Sequence, residues 1–185
     1  MSVYGEQDSK KSKETKNCEP LSCYGVAKIM SEKYLYIFRK QIPFVSLRMF
    51  NTYGPGQDMN NLRQGMVSIY IAQGMKNRKI DIKGSLKRIR DFIYIEDVVE
   101  SWFRASNYNS SLNQAINVGT GLATEVKKLV KIIIKKIPGT TYRVLGSTKG
   151  DQNSIVADTA LLRSKLKINK FTNLDKGIEN FISSL

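Results

Sequence analysis

The chain has 185 residues, 41% of them hydrophobic, enough for one domain with a sizeable core and an ordinary globular composition. No run of about 18 apolar residues occurs, Met1-Ser2-Val3-Tyr4-Gly5 does not read as a secretory signal, and Cys18 and Cys23 are too few for a disulfide framework, so a reducing cytoplasm without membrane contact is expected. The net charge of +14 raises nucleic-acid binding, but the lysines fall in a polar loop (Lys10, Lys11, Lys13, Lys16) and on one helix face (Lys127, Lys131, Lys135), with no basic-aromatic interleaving or zinc-finger spacing, so neither nucleic acid nor metal is expected.

In chain order, Met1 to Gly5 reads as the end of a strand and residues 6–20 as a polar loop. Ser22 suits the N-cap of a helix running to about Arg39, with Val26, Ile29, Met30, Tyr34, Ile37 and Phe38 at helical spacing and Pro43 beyond it. Phe44 to Phe50 reads as a buried strand, and Asn51-Thr52-Tyr53-Gly54-Pro55-Gly56 as a loop. A helix from Leu62 to Lys76, a short strand from Ile80 to Ile82 and a loop from Lys83 to Arg88 follow.

Next comes a strand from Arg90 to Ile95, whose alternation sets Arg90, Phe92 and Tyr94 on one side and Asp91, Ile93 and Ile95 on the other. Glu96 to Ala105 is helical, and Ala115 to Val118 is a strand closed by Gly119-Thr120-Gly121. Thr124 caps a lysine-rich helix, Tyr142 to Leu145 is a last strand before a Gly150-Asp151 loop, and helices near Thr159–Leu166 and Asn173–Ser184 end the chain. Alternating strands and helices argue for an α/β fold. Neither G-x-x-G-x-x-G nor G-x-G-x-x-G, the turn that brings backbone N–H groups to a dinucleotide pyrophosphate, occurs in these residues.

Tyr24 and Lys28 stand one helical turn apart, on the same face. A cation beside a phenol favours the phenolate, which is how a tyrosine becomes a base. The spacing alone is weak, because an ordinary helix with an exposed lysine shows it too.

The segments Tyr24-Gly25-Val26-Ala27-Lys28, Arg48-Met49-Phe50-Asn51-Thr52-Tyr53-Gly54-Pro55, Arg90-Asp91-Phe92-Ile93-Tyr94-Ile95-Glu96-Asp97-Val98 and Asn117-Val118-Gly119-Thr120-Gly121 come in this order. As a set they resemble the extended short-chain dehydrogenase/reductase family, the NAD-dependent nucleotide-sugar epimerases and dehydratases. They are most like the C-terminal part of an enzyme of the UDP-glucose 4-epimerase type.

The resemblance implies the C-terminal part of a Rossmann-type parallel sheet plus a small α/β substrate-binding domain. Residues 1–58 would be the remainder of the NAD-binding domain, and 59–185 mainly the nucleotide-sugar domain, with 90–118 returning to the sheet. Family members begin with a Rossmann portion of on the order of a hundred residues bearing the glycine-rich turn. Val3-Tyr4-Gly5 resembles the family's Val-Tyr-Gly, which places the catalytic Ser or Thr one position before Met1. Ser2 falls two positions late, a shift of about 6.6 Å along a strand. The dehydratases carry Asp-Glu where this chain has Met1-Ser2, and the related decarboxylases usually keep a Glu at the second position, which favours an epimerase.

The implied reaction is 4-epimerisation of UDP-glucose and UDP-galactose, or of their N-acetylated equivalents, by hydride transfer through a 4-keto intermediate. Tyr24, supported by Lys28, would take the proton from the sugar 4-hydroxyl, Lys28 would also hold the nicotinamide ribose, and Phe50 would lie against the cofactor. Asn51, Asn61, Leu62 and Arg90 match nucleotide-sugar contacts, with Arg90 gripping the diphosphate, and Asp151 matches a ribose-contacting acid. Asn153 stands where the family often has an arginine, and Ile155 where residue bulk gates N-acetylated sugars.

Bland readings stand beside these: a turn-former for Asn51, an N-cap for Asn61, a core residue for Leu62 and a surface ion pair with Asp97 for Arg90. Asp97 itself and the 117–121 turn read as structural. Without the glycine-rich turn these residues are expected to bind NAD poorly and to be inactive alone. The rivals are a remnant that only binds nucleotide-sugars or dimerises, and a dehydratase or decarboxylase. A full-length form would pair as a homodimer through the helix from Tyr24 to Arg39.

Overall fold

The computed structural model describes residues 2–5, 11–62, 65–107, 113–146 and 152–185. Ser22 Oγ accepts a hydrogen bond from Gly25 N at 3.1 Å and opens helix α1 (Cys23–Ile37). The chain then runs through β1 (Val45–Met49), β2 (Asn51–Tyr53), α2 (Met66–Asn77), β3 (Lys79–Lys83), β4 (Ile89–Arg90), β5 (Phe92–Tyr94), α3 (Ile95–Asn107) and β6 (Gln114–Val118). It ends with β7 (Thr124–Glu125), α4 (Val126–Lys136), β8 (Thr141–Leu145), β9 (Ser154–Ile155), α5 (Ala160–Leu166) and α6 (Leu174–Ser183).

Among the described residues all but one of the strand pairings are parallel. β1 pairs with β6 from Val45↔Gln114 to Met49↔Val118, and β2 pairs with β5 from Asn51↔Phe92 to Tyr53↔Tyr94. β3 lies beside β8, while β4 sits between antiparallel β7 and parallel β9. Phe50 is the only residue between β1 and β2. Its amide still donates to Val118 O at 2.9 Å, whereas the next amide, Asn51 N, donates to Asp91 O at 3.0 Å. One extended segment therefore changes partners at Phe50, and the site is built around that change.

Four local expectations need correction. Residues 2–4 form a turn or bend rather than a strand end. They tuck under α1, where a Cβ on Gly25 would collide with the Ser2 carbonyl and come within 2.8 Å of the Pro20 side chain. Asn51 to Tyr53 is strand rather than loop, because β5 supplies a ladder that local turn residues cannot reveal. The strand expected from Arg90 to Ile95 breaks at Asp91, and Ile95 already belongs to α3. Thr124 lies in β7, and the N-cap of α4 is Glu125, with no side-chain bond.

Helices cover both faces of the strands. Phe92 and Tyr94 of β5 join a core with Tyr70 and Ile71 of α2, Leu129 and Ile133 of α4, and Ile178 and Phe181 of α6. Ile93, between them, points into a second core with Val98 of α3, Ile116 and Val118 of β6, and Leu162 and Leu166 of α5. That is the alternation expected of a strand with both faces buried. In α4 the lysines at 127, 131 and 135 stay exposed while Val126, Leu129, Val130 and Ile133 are buried.

Helix α1 differs from its expected reading. Gly25 is its only buried residue, and Val26, Met30, Tyr34 and Ile37, with Phe38 just beyond, are exposed. Of its apolar positions Ile29 packs on the body, beside Tyr4 and Phe50, and most of the others do not. Among the described residues no helix is long and apolar enough to cross a membrane.

The Tyr53 hydroxyl is buried in the first core without a hydrogen-bond partner among the described residues, and it sits where a Cβ on Gly177 would collide with it. Burial raises its pKa above the ordinary tyrosine value. Tyr53→Phe removes this unsatisfied group, so it is expected to add about 1 kcal/mol and raise the calorimetric melting temperature by about 3 °C. A lowered melting temperature would show that the hydroxyl has a partner.

Candidate active site

α1 and the β1–β2 segment form two walls of a cleft of about 1100 Å³. Tyr24, Lys28 and Glu32 line it from α1, Phe50 and Asn51 from the partner switch, Asn61 from the following loop, and Arg90 and Phe92 from β4 and β5. The pair singled out from spacing is therefore in one place with the arginine singled out from its motif.

Lys28 Nζ lies 5.3 Å from the centroid of the Tyr24 ring, within cation–π range. The phenol is 63% exposed, so a ligand can reach it. Arg90 is buried, and its Nη1 donates to Ile89 O at 2.9 Å. Burial, with the Arg88 guanidinium adding to it, pushes the Arg90 pKa down to about 10, which leaves it cationic at neutral pH. Arg90 is thus not a surface residue, and Asp97 accepts from Thr172 N at 2.9 Å and from Thr172 Oγ1 at 3.2 Å. The surface ion-pair reading of these two residues gives way on both counts.

The other sequence-chosen residues divide. Phe50 is buried on the cleft wall, its ring 6.3 Å from that of Tyr4. Asn51 Nδ2 donates to Asp91 O at 3.0 Å, so part of this amide is spent on the backbone. Asn61 is half-buried on the wall, whereas Leu62 is 54% exposed and does not line the cleft. Asp151 lies outside the described residues. Ile155 is fully buried against Phe50, Tyr4 and Ala157 and does not line the cleft, so its bulk acts on the core and not on a sugar.

Sequence reasoning passed over several groups. Ser2, set aside as two positions late, lines the same cleft as Tyr24. Glu32 and Arg48 line it as a pair joined at 2.7 Å, and the place of Glu32 one turn beyond Lys28 could have drawn notice.

Asp91 is the other missed group. Fully buried between β4 and β5, it accepts from Thr120 N at 2.9 Å, Thr120 Oγ1 at 2.6 Å, Gly121 N at 2.9 Å and Ala157 N at 3.1 Å. Burial raises its carboxyl pKa, and these bonds oppose the rise. A Cβ on Gly119 would stand 2.7 Å from both Asp91 Oδ2 and Ala157 Cβ. The Gly119-Thr120-Gly121 turn is therefore filled by the protein's own carboxylate and is no phosphate cradle. Tyr24, Lys28 and Phe50 on one cleft suit the nicotinamide end of a dinucleotide; a glycine-rich turn for its pyrophosphate is not in the sequence.

Residues 1–119 match the model of the NAD dependent epimerase/dehydratase family, and the chain belongs to that family. It is 31% identical to the dTDP-4-dehydro-6-deoxyglucose reductase of Escherichia coli over 99% of this chain and 58% of that protein. Among solved structures, the UDP-N-acetylglucosamine 4-epimerase of Methanobrevibacter ruminantium in complex with UDP-N-acetylmuramic acid matches with a TM-score of 0.92 at 26% identity, over 99% of this chain and 59% of that one. The UDP-glucuronic acid 4-epimerase of Bacillus cereus in complex with UDP-glucuronic acid and NAD matches with a TM-score of 0.89 at 27% identity, over 99% and 58%. The chain thus spans somewhat under 60% of the length of these relatives. The fold is the mixed α/β arrangement of Rossmann-type epimerases and dehydratases.

Proposed function

We propose that these residues form the substrate side and the acid–base couple of an NAD-dependent nucleotide-sugar 4-epimerase. The observation that carries this reading is the stacking of Lys28 on Tyr24 in a cleft that Arg90 also lines. Residues 1–58 would belong to the cofactor-binding domain and 59–185 mainly to the nucleotide-sugar domain, with 90–118 returning to the cofactor sheet.

In this reading Arg90 sits where a forked cation can grip the diphosphate, with Asn51 and Asn61 beside it. Tyr24 accepts the proton of the sugar 4-hydroxyl and later returns it, and Lys28 favours the anion between those steps. Lys28 and Phe50 hold the nicotinamide end. Bound NAD supplies a reversible hydride acceptor for sugar C4, so that C4 passes through a ketone and can be reduced on its other face. Epimerisation needs no further acid or base, and Met1-Ser2 offers no carboxylate for dehydration. Free Cys18 and Cys23 fit a reducing cytoplasm, and the exposed apolar positions of α1 fit pairing with a second copy.

Incubation with UDP-glucose and NAD, followed by NMR of the anomeric protons, tests the proposal. UDP-galactose is the expected product where the glycine-rich turn that these residues lack is supplied to them, and these residues alone are expected to convert nothing; loss of water or carbon dioxide would move the reading to a dehydratase or decarboxylase. A second reading, a module that binds nucleotide-sugars or dimerises without turnover, draws on the lack of a glycine-rich turn in these residues. Binding without conversion even when that turn is supplied would favour it, and no nucleotide-sugar binding would remove both except for a module that only dimerises. Arg90→Met is expected to weaken UDP-glucose binding by about ten- to a hundredfold in calorimetric titration, the value of a charge-assisted hydrogen bond, while leaving uridine binding unchanged. Equal weakening of both would place Arg90 away from the phosphates.

A further inference from the structure

Helix α1 carries the couple but is held to the body by little. Gly25 is buried, Ile29 and Glu32 are half-buried, and these three recur along one narrow stripe. Glu32 is the polar member of that stripe. Arg48 of β1 grips its carboxylate in a fork, Nε to Oε1 at 2.9 Å and Nη2 to Oε2 at 2.7 Å. Arg48 is itself pinned. Its guanidinium carbon lies 5.0 Å from the centroid of the Tyr4 ring, and Nη1 donates to Tyr4 Oη at 3.0 Å and to Glu14 O at 3.4 Å. Burial works against its charge, but the bonds with Glu32 and Tyr4 outweigh it and hold the pKa above the ordinary arginine value.

The register of Glu32 has a second effect. It stands one turn beyond Lys28, just as Lys28 stands one turn beyond Tyr24. A carboxylate four residues beyond a lysine lies within reach of an ion pair with it, though this order is the weaker of the two. Yet among the described residues Lys28 makes no ion pair, and its ammonium stays with the Tyr24 ring. We propose that Arg48 is a positioning residue for the acid–base couple: by occupying the Glu32 carboxylate it keeps that anion off Lys28 and leaves the ammonium to Tyr24, while tying α1 to β1. This inference rests on the reading of Tyr24 and Lys28 as the acid–base couple.

The test compares the parent chain, Arg48→Met, Glu32→Gln and the double variant Arg48→Met/Glu32→Gln, without NAD or sugar. The readout is the NMR cross-peak between the Lys28 ε-methylene and the Tyr24 ring protons, with thermal melts recorded alongside. Arg48→Met is expected to weaken the cross-peak by about twofold, the population change that one such helical ion pair brings. Glu32→Gln leaves it at the parent level, and the double variant restores it, because the freed anion is gone. If Arg48→Met does not fold, Arg48→Lys serves in both backgrounds, since it keeps the charge but loses the fork, and a smaller loss with the same restoration is expected.

A cross-peak unchanged by Arg48→Met, or lost equally in the double variant, overturns the proposal; the second result leaves Arg48 as a structural tie alone. Sugar conversion in the same variants separates the two layers. A contact that follows the expected pattern while conversion ignores it upholds the positioning role and discards the catalytic reading of the couple.

Discussion

Tyr24→Phe is expected to lower nucleotide-sugar conversion, measured with the missing glycine-rich turn supplied, by about 10²- to 10⁴-fold, the usual contribution of a positioned acid–base group, with UDP-sugar affinity and melting temperature unchanged. The ring stays, so the contact with Lys28 stays, and only the titrating oxygen is lost. The side chain is 63% exposed, so deleting the hydroxyl leaves no buried group unpaired. Parallel assays of parent and variant, with calorimetric binding of UDP-glucose, check this. A variant that converts sugar within threefold of the parent, roughly the scatter of context effects, removes Tyr24 from the chemistry. A variant that loses binding and conversion together makes it a binding residue instead.

Asp91→Ala is expected to be the most destabilising single change near the site. The carboxylate gathers two backbone amides and a hydroxyl from the 120–121 turn and the amide of Ala157, all buried. Each donor left without a partner costs about 1–3 kcal/mol, and because the four are neighbours the losses do not simply add. A loss of about 4 kcal/mol, or about 8–16 °C in melting temperature, is the expected result. Asp97→Ala serves as the comparison. Asp97 is half-buried and, among the described residues, its carboxylate accepts from Thr172 alone, so it should lose only about half as much. Equal losses would mean that Asp91 is not the pivot of the three segments.

Where the physics is local, the sequence is a good guide. The lysine column and apolar stripe of α4 follow from helical periodicity alone, and the division of Phe92 and Tyr94 from Ile93 follows from the alternation of a strand. The spacing of Tyr24 and Lys28 was enough to stack them, because four residues on a helix leave little choice. Placing Arg90 and Asn51 in the same cleft was not a matter of spacing. It needed the family likeness, since parallel pairing joins residues forty positions apart.

What was missed depends on long-range partners. Asn51 to Tyr53 is written in turn-forming residues, yet β5 turns it into strand. The two residues of β9 are too few to show a period. Nothing in an Arg-Asp-Phe run reveals that Asp91 will organise a turn thirty residues downstream. Periodicity also marked the apolar residues of α1 but carries no information about what covers them, and in this chain most are exposed. Ile155 shows the limit of carrying a role over by position. Its place in β9 turns its side chain into the core with Phe50 and leaves the cleft wall to Gln152.

The claim beneath all of this is that the cleft between α1 and the β1–β2 segment receives a nucleotide-sugar with its diphosphate toward Arg90 and its sugar toward Tyr24. Amide chemical-shift mapping during titration with UDP-glucose tests it most directly. The account predicts saturable shifts clustered at Tyr24, Lys28, Asn51, Asn61 and Arg90. Shifts confined to the lysine face of α4, or a titration that leaves Arg90 and Tyr24 unmoved, would contradict it.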